Sequence, residues 1–146
     1  GMPTETTIAI MSILFGGVLD ANPSLRCCFA HGGGSFPGTI GRITHGLAVR
    51  PDLFPAGTRE PASYLAQVGP TGVRPAKFWV DALAHDAAAL RHVIGMFSPQ
   101  RVCLGTDYPF PLGEHIPGKL LASMPEITIE ARRQILTEAA RAFLAI

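Results

Sequence analysis

Two ionisable residues stand where short apolar runs stop. His31 closes RCCFA ahead of three glycines, and Asp107 closes RVCLGT ahead of Tyr-Pro-Phe-Pro. An imidazole titrates near neutral pH, so His31 could transfer a proton or ligate a metal, and a carboxylate such as Asp107 suits a hard or borderline divalent cation. Two plainer readings stand beside these: His31 as a hydrogen-bonded core histidine, and Asp107 as a turn or cap residue before Pro109. One Asp and one His fall short of the three protein ligands a catalytic zinc takes, and neither H-x-H nor H-E-x-x-H occurs in the chain. Gly32, Gly33 and Gly34 let backbone N–H groups approach a ligand, yet the stretch fits neither a P-loop nor a dinucleotide fingerprint. Arg42 and Arg50 could clamp a carboxylated substrate bidentately or stand in water. His85 ends a middle apolar segment and is a reserve candidate, whereas His45 reads as packing, His92 as helix surface or packing, and His115 as exposed.

Something must bring positions 31 and 107 together, and the elements between them alternate. Apolar residues recur at helical spacing from Thr4 to Leu25, with Thr4 and Thr6 as candidate caps and Asn22-Pro23 as the stop. LRCCFA reads as a buried strand, and a helix restarts around Thr39 and ends before Pro51. Pro55 to Pro75 is rich in Pro, Gly and Thr and reads as a loop in which SYLAQV makes one or two helical turns. AKFWVDAL is a second strand and DAAALRHVIGMF a helix capped by Asp86 and stopped by Ser98-Pro99. RVCLGTD is a third strand, YPFPLGEHIPG a rigid loop, and KLLASM and TIEARRQILTEAARAFLAI close the chain as helices, the latter capped at Thr128. No hairpin signal is evident. Helices alternating with strands specify an α/β fold with a parallel sheet, in which ligands sit at the carboxyl ends of strands.

Three strands are too few for a closed barrel, which takes eight βα units and about 250 residues. The expectation is therefore one domain over residues 1–146 that forms part of a larger α/β fold. With 47% hydrophobic and 16% charged residues the chain can bury a core, and its net charge of +1 without like-charge runs speaks against nucleic acid or an anionic membrane as partner. No membrane span or signal peptide is visible, which makes the cytoplasm the expected location. Cys27, Cys28 and Cys103 lack C-x-x-C spacing and read as reduced, buried small hydrophobes.

Together, FAHGGGSFPGTIGRITHGLAVRPDLF and RVCLGTDYPFPLGEHIPGKLLASM resemble the aminocarboxymuconate-semialdehyde decarboxylase family of the metal-dependent amidohydrolase superfamily. The resemblance runs from the leading helix to the last one and corresponds to the C-terminal portion of those enzymes. It implies the C-terminal part of a distorted (β/α)₈ TIM barrel, a mononuclear zinc site, a homodimer, and non-oxidative decarboxylation of a small carboxylated semialdehyde in tryptophan breakdown. It also implies roles: Asp107 as a metal ligand, His31 as acid/base on the metal-bound water, Arg42 reaching into a neighbouring subunit to hold a substrate carboxylate, Arg50 as a second substrate arginine, and Phe110 lining the pocket. The other Zn2+ ligands have no counterpart here, so the isolated chain is expected to be inactive. Hydroxybenzoate decarboxylation or hydrolysis on the same scaffold, and a non-catalytic truncated domain, are the competing expectations.

Overall fold

The computed structural model describes all 146 residues. Helix α1 spans Met2–Phe15 with Gly1 at its N-cap. The expected threonine caps are not used: the Thr6 and Thr7 hydroxyls instead donate to the Met2 and Pro3 carbonyls one turn back, at 3.0 and 2.9 Å. The helix expected to run to Leu25 breaks at Gly16 and at Gly17, whose φ of 64° no helix accommodates, and a short α2 (Val18–Ala21) follows.

Strand β1 is Cys28–Phe29, and α3 is Phe36–Val49, starting a turn earlier than Thr39. The Pro- and Gly-rich segment holds a 3-10 turn at Pro61–Tyr64, close to the expected helical turn. It also holds a feature the sequence did not signal, an antiparallel hairpin of β2 (Gln67–Gly69) and β3 (Gly72–Arg74). Its strands lie exposed, with Val68 88% and Val73 51% accessible, so no buried face imposes the alternation by which strands are read.

Strand β4 (Trp79–Asp81), helix α4 (Ala87–Phe97) and strand β5 (Val102–Cys103) complete the sheet, which is parallel in the order β1-β4-β5. Val80 pairs with Phe29 on one side and Val102 on the other. Asp86 caps α4, its carboxylate accepting the Ala89 N–H at 2.8 Å. Side chains alternate across β4, so Phe78 and Val80 face the helices while Trp79 and Asp81 face the other way. On the helix side Phe78 is fully buried, edge-on to Phe29 at 5.5 Å and to Phe97 at 5.3 Å, among Ile10, Phe36, Leu90 and Val102. Burying each such ring contributes about 1.5–3 kcal/mol.

On the opposite face Trp79 and Cys103 pack against Ala139 and Phe143. Cys28 is exposed and Cys27 half-buried, so only Cys103 is the buried thiol expected; all three are free. The reason is topological, because β1 is an edge strand of this sheet and lacks a cover on one face.

After α5 (Lys119–Ala122), Thr128 caps α6 (Ile129–Arg133), accepting the Ala131 N–H at 3.1 Å. The last helix is not uniform: a π turn over Gln134–Glu138 precedes α7 (Ala139–Leu144). The widened turn turns the Ile135 carbonyl toward the sheet, where it accepts the Leu104 N–H at 2.9 Å just past β5.

Candidate active site at the strand ends

All three parallel strands end in the same way. His31 follows β1, His85 follows β4 and Asp107 follows β5, and each non-glycine residue takes a left-handed backbone conformation, with φ of 59°, 54° and 57°. This region is costly for L-residues, and strain of this kind gathers where side chains must be aimed. The result is one cavity of about 640 Å³ lined by His31, His85, Asp107, Ser35, Leu83 and His92, among others.

His31 and Asp107 meet within it. His31 Nε2 lies 3.8 Å from Asp107 Oδ1, and both side chains are 22% accessible. His31 Nδ1 is buried without a hydrogen-bond partner, so the imidazole is not the satisfied core histidine of the plainer reading. A carboxylate and an imidazole at this spacing, beyond direct hydrogen-bond distance, can face a common ligand or a bridging water.

The support beneath them comes from Asp81, whose role the sequence did not indicate beyond its place at the end of a strand. Its Oδ1 accepts the Gly32 N–H at 2.8 Å and the Leu83 N–H at 3.1 Å, tying the glycine loop to the end of β4. Gly105 permits this: a Cβ there would sit 2.6 Å from Asp81 Cβ. Gly34 lets α1 close on the loop, because a Cβ there would fall 2.2 Å from the Pro3 carbonyl oxygen. Pro3 in turn accepts the Ser35 N–H at 3.1 Å.

The proline-rich loop is fastened by Glu114, another residue without a sequence signal. Its carboxylate accepts the Gly118 and Leu120 N–H groups at 3.0 and 2.8 Å, while its own N–H donates to the Thr106 carbonyl at 2.8 Å. Phe110, held by its N–H to the Asp107 carbonyl at 2.8 Å, is 63% exposed and stands outside the cavity, where Leu112 takes part in the lining instead. Arg42 points from the exposed side of α3 and forms no ion pair or hydrogen bond, and Arg50 is held bidentately by Asp52 at 2.7 and 2.8 Å. Neither arginine lines this chain's own cavity. His45 is exposed rather than packed; His92 donates through Nε2 to the Pro37 carbonyl at 3.1 Å, and His115 is exposed as expected.

Side chains gathered at the carboxyl ends of parallel strands mark functional sites of α/β folds, barrels among them, and the whole chain, residues 1–146, matches the amidohydrolase family profile. The chain belongs to that family. It is 47% identical over its full length to 2-amino-3-carboxymuconate-6-semialdehyde decarboxylase of Dictyostelium discoideum, of which it covers 38%, and 40% identical over 93% of its length to the protein of that name from Caenorhabditis elegans, of which it covers 32%. The chain thus spans 32–38% of the length of these relatives. Among solved structures it superposes on apo IDCase of Metarhizium anisopliae with TM-score 0.74 at 26% identity, over 98% of this chain and 40% of that one. It also superposes on a dihydroxybenzoic acid decarboxylase from Polaromonas sp., solved with manganese, with TM-score 0.74 at 20% identity over the same shares. The α/β expectation of a partial TIM barrel holds, the three parallel strands being part of that larger barrel.

Proposed function

We propose that the protein carrying this chain is a metal-dependent, non-oxidative decarboxylase acting on 2-amino-3-carboxymuconate 6-semialdehyde, for which this chain supplies one wall of the active site. The observation that carries the reading is the meeting of His31 and Asp107, 3.8 Å apart, at the strand ends of a chain 47% identical to a decarboxylase of that name.

The chain's own residues do not complete a metal site, since no three His, Cys, Asp or Glu side chains converge anywhere in it. Asp107 offers one carboxylate, and the remaining ligands belong to the part of the barrel that this chain does not span. We assign zinc as the metal; the Polaromonas neighbour holds manganese. What these residues do is narrower. His31 holds and returns a proton at Nε2, facing the cavity, while Asp81 fixes the loop on which it sits. Arg42, which forms no ion pair and lines no part of its own cavity, reaches into a second subunit of a homodimer to hold a substrate carboxylate, with Arg50 as a second substrate arginine near that interface and Phe110 lining the substrate pocket. No helix is long and apolar enough to cross a membrane, in keeping with the cytoplasmic location we propose.

The test is turnover by the protein that carries this chain, with the semialdehyde and with dihydroxybenzoates as competing substrates. Loss of the semialdehyde absorbance with carbon dioxide release, abolished by His31→Asn and by Asp107→Asn in folded protein, is the expected result. Turnover of dihydroxybenzoates alone assigns the second chemistry, and metal-replete protein inert toward both leaves the non-catalytic reading.

A further inference from the structure

We propose that the end of the sheet opposite the active site, at the amino ends of the strands, binds a compact multivalent oxyanion of the phosphoryl type. A cation precedes every parallel strand: Arg26 before β1, Lys77 before β4 and Arg101 before β5. These three side chains and Arg74 border a cavity of about 390 Å³ between the α2–β1 connection and the segment after the hairpin.

Three of the four cations have no carboxylate partner. Arg26 forms no hydrogen bond or ion pair, Arg74 Nη2 donates only to the Ser63 and Leu65 carbonyls at 3.0 and 3.2 Å, and Arg101 donates only to the Ala76 and Gln100 carbonyls at 2.9 and 3.2 Å. One carboxylate borders the cavity, Asp20, and it is saturated by the Tyr64 hydroxyl, Arg59 at 2.8 Å and Lys77 at 3.1 Å. Arg101 lies over Trp79, its Cζ 3.9 Å from the ring centroid, and with Nε and Nη1 given to the two carbonyls its Nη2 is left for a ligand. Burial there presses against its charge, a cost an anion would relieve.

Trp79 lines the cavity at 6% exposure, beneath Arg101. Guanidinium and ammonium groups are donors only, so a ligand they share must bring acceptors and negative charge; forked guanidinium groups match phosphoryl oxygens.

Trp79 is the single tryptophan of the chain and reports on its own site. Its emission is followed in the full chain while inorganic phosphate, or methyl phosphate as an ester, is added at ionic strength held constant with sodium chloride. A saturable change is expected with either probe, and the tighter of the two identifies free ion or ester as the source. Binding should weaken roughly tenfold in Arg26→Gln, whose exposed side chain the fold does not use, and further in Arg101→Gln. Circular dichroism checks that Arg101→Gln is folded; should it not be, Arg26→Gln decides. The proposal is overturned by the absence of saturation, by an equal response to chloride, or by unchanged affinity in the folded variants.

Discussion

The carboxylate of Asp81 accepts the backbone N–H of Gly32, 49 residues earlier, at 2.8 Å, so the end of the central strand holds the turn that aims His31. Asp81→Ala strips an acceptor from two backbone donors, Gly32 and Leu83. It should cost about 1–3 kcal/mol, read as a lower urea midpoint, and should speed amide exchange at those two positions. Asp81→Asn keeps an acceptor oxygen and should cost less; equal losses in the two variants would show that the carboxylate's charge, not the hydrogen bond, matters.

Glycine positions should divide by what surrounds them. Gly34→Ala places a methyl against the Pro3 carbonyl at φ of 65°, and Gly105→Ala drives one into Asp81. Both should destabilise by about 1–3 kcal/mol. Gly95, within α4 and open on all sides, should behave oppositely, with Gly95→Ala stabilising by about 0.5–1 kcal/mol. Melting temperatures of the three variants test the ordering.

Tyr64 supplies a signature at alkaline pH. Burial, then the Asp20 carboxylate beside it, pushes its phenol up to about 12, against about 10 in an unfolded chain. The native state therefore holds a proton the unfolded state releases. The associated stability, about 2 kcal/mol, is fully present below about pH 10 and is lost as the pH rises toward 12. Urea titrations across that window should show the decline, and Tyr64→Phe should flatten it. Asp20 acts at the other extreme: the Tyr64 hydroxyl, then Lys77 and Arg59, hold its carboxyl below the usual range, so its contribution is present above about pH 4 and fades as the pH falls further.

Glu114 should govern the order of the loop that carries Phe110. Glu114→Ala frees the Gly118 and Leu120 N–H groups and uncaps α5, at about 1–2 kcal/mol, with faster amide exchange from residue 113 to 120. Stability unchanged within error would mean that the prolines alone hold the loop.

The alternation of helices and strands, the Asp86 and Thr128 caps and the placing of His31 and Asp107 at strand ends were legible because each rests on local pattern. Asp86 lies three residues before the N–H it accepts, and both strand ends are marked where an apolar run stops. What could not be read depends on distant partners. Asp81 and Gly32 are 49 residues apart, Tyr64 and Asp20 are 44 apart, and an isolated Asp or Tyr gives no hint of either pairing. The hairpin around Pro70 escaped for the opposite reason: exposed on its faces, it imposes no pattern on its residues. Arg50 shows a further limit, since its neighbour Asp52 was in plain view, yet sequence alone does not say whether two nearby charges join.

The hydrogen bond from Leu104 to the Ile135 carbonyl gives the sheet a direction of growth. On that side a helical carbonyl already stands where a further strand's would, whereas beyond β1 the row of backbone donors and acceptors is open. A strand added past Cys28 and Phe29 meets an open edge, whereas the strand that closes the barrel beside β5 must share or displace the contact at Leu104. Replacing Ile135 with proline would leave its carbonyl but disrupt the π turn that aims it, and a chain so altered should gain a second sticky edge and assemble into chains of molecules rather than pairs.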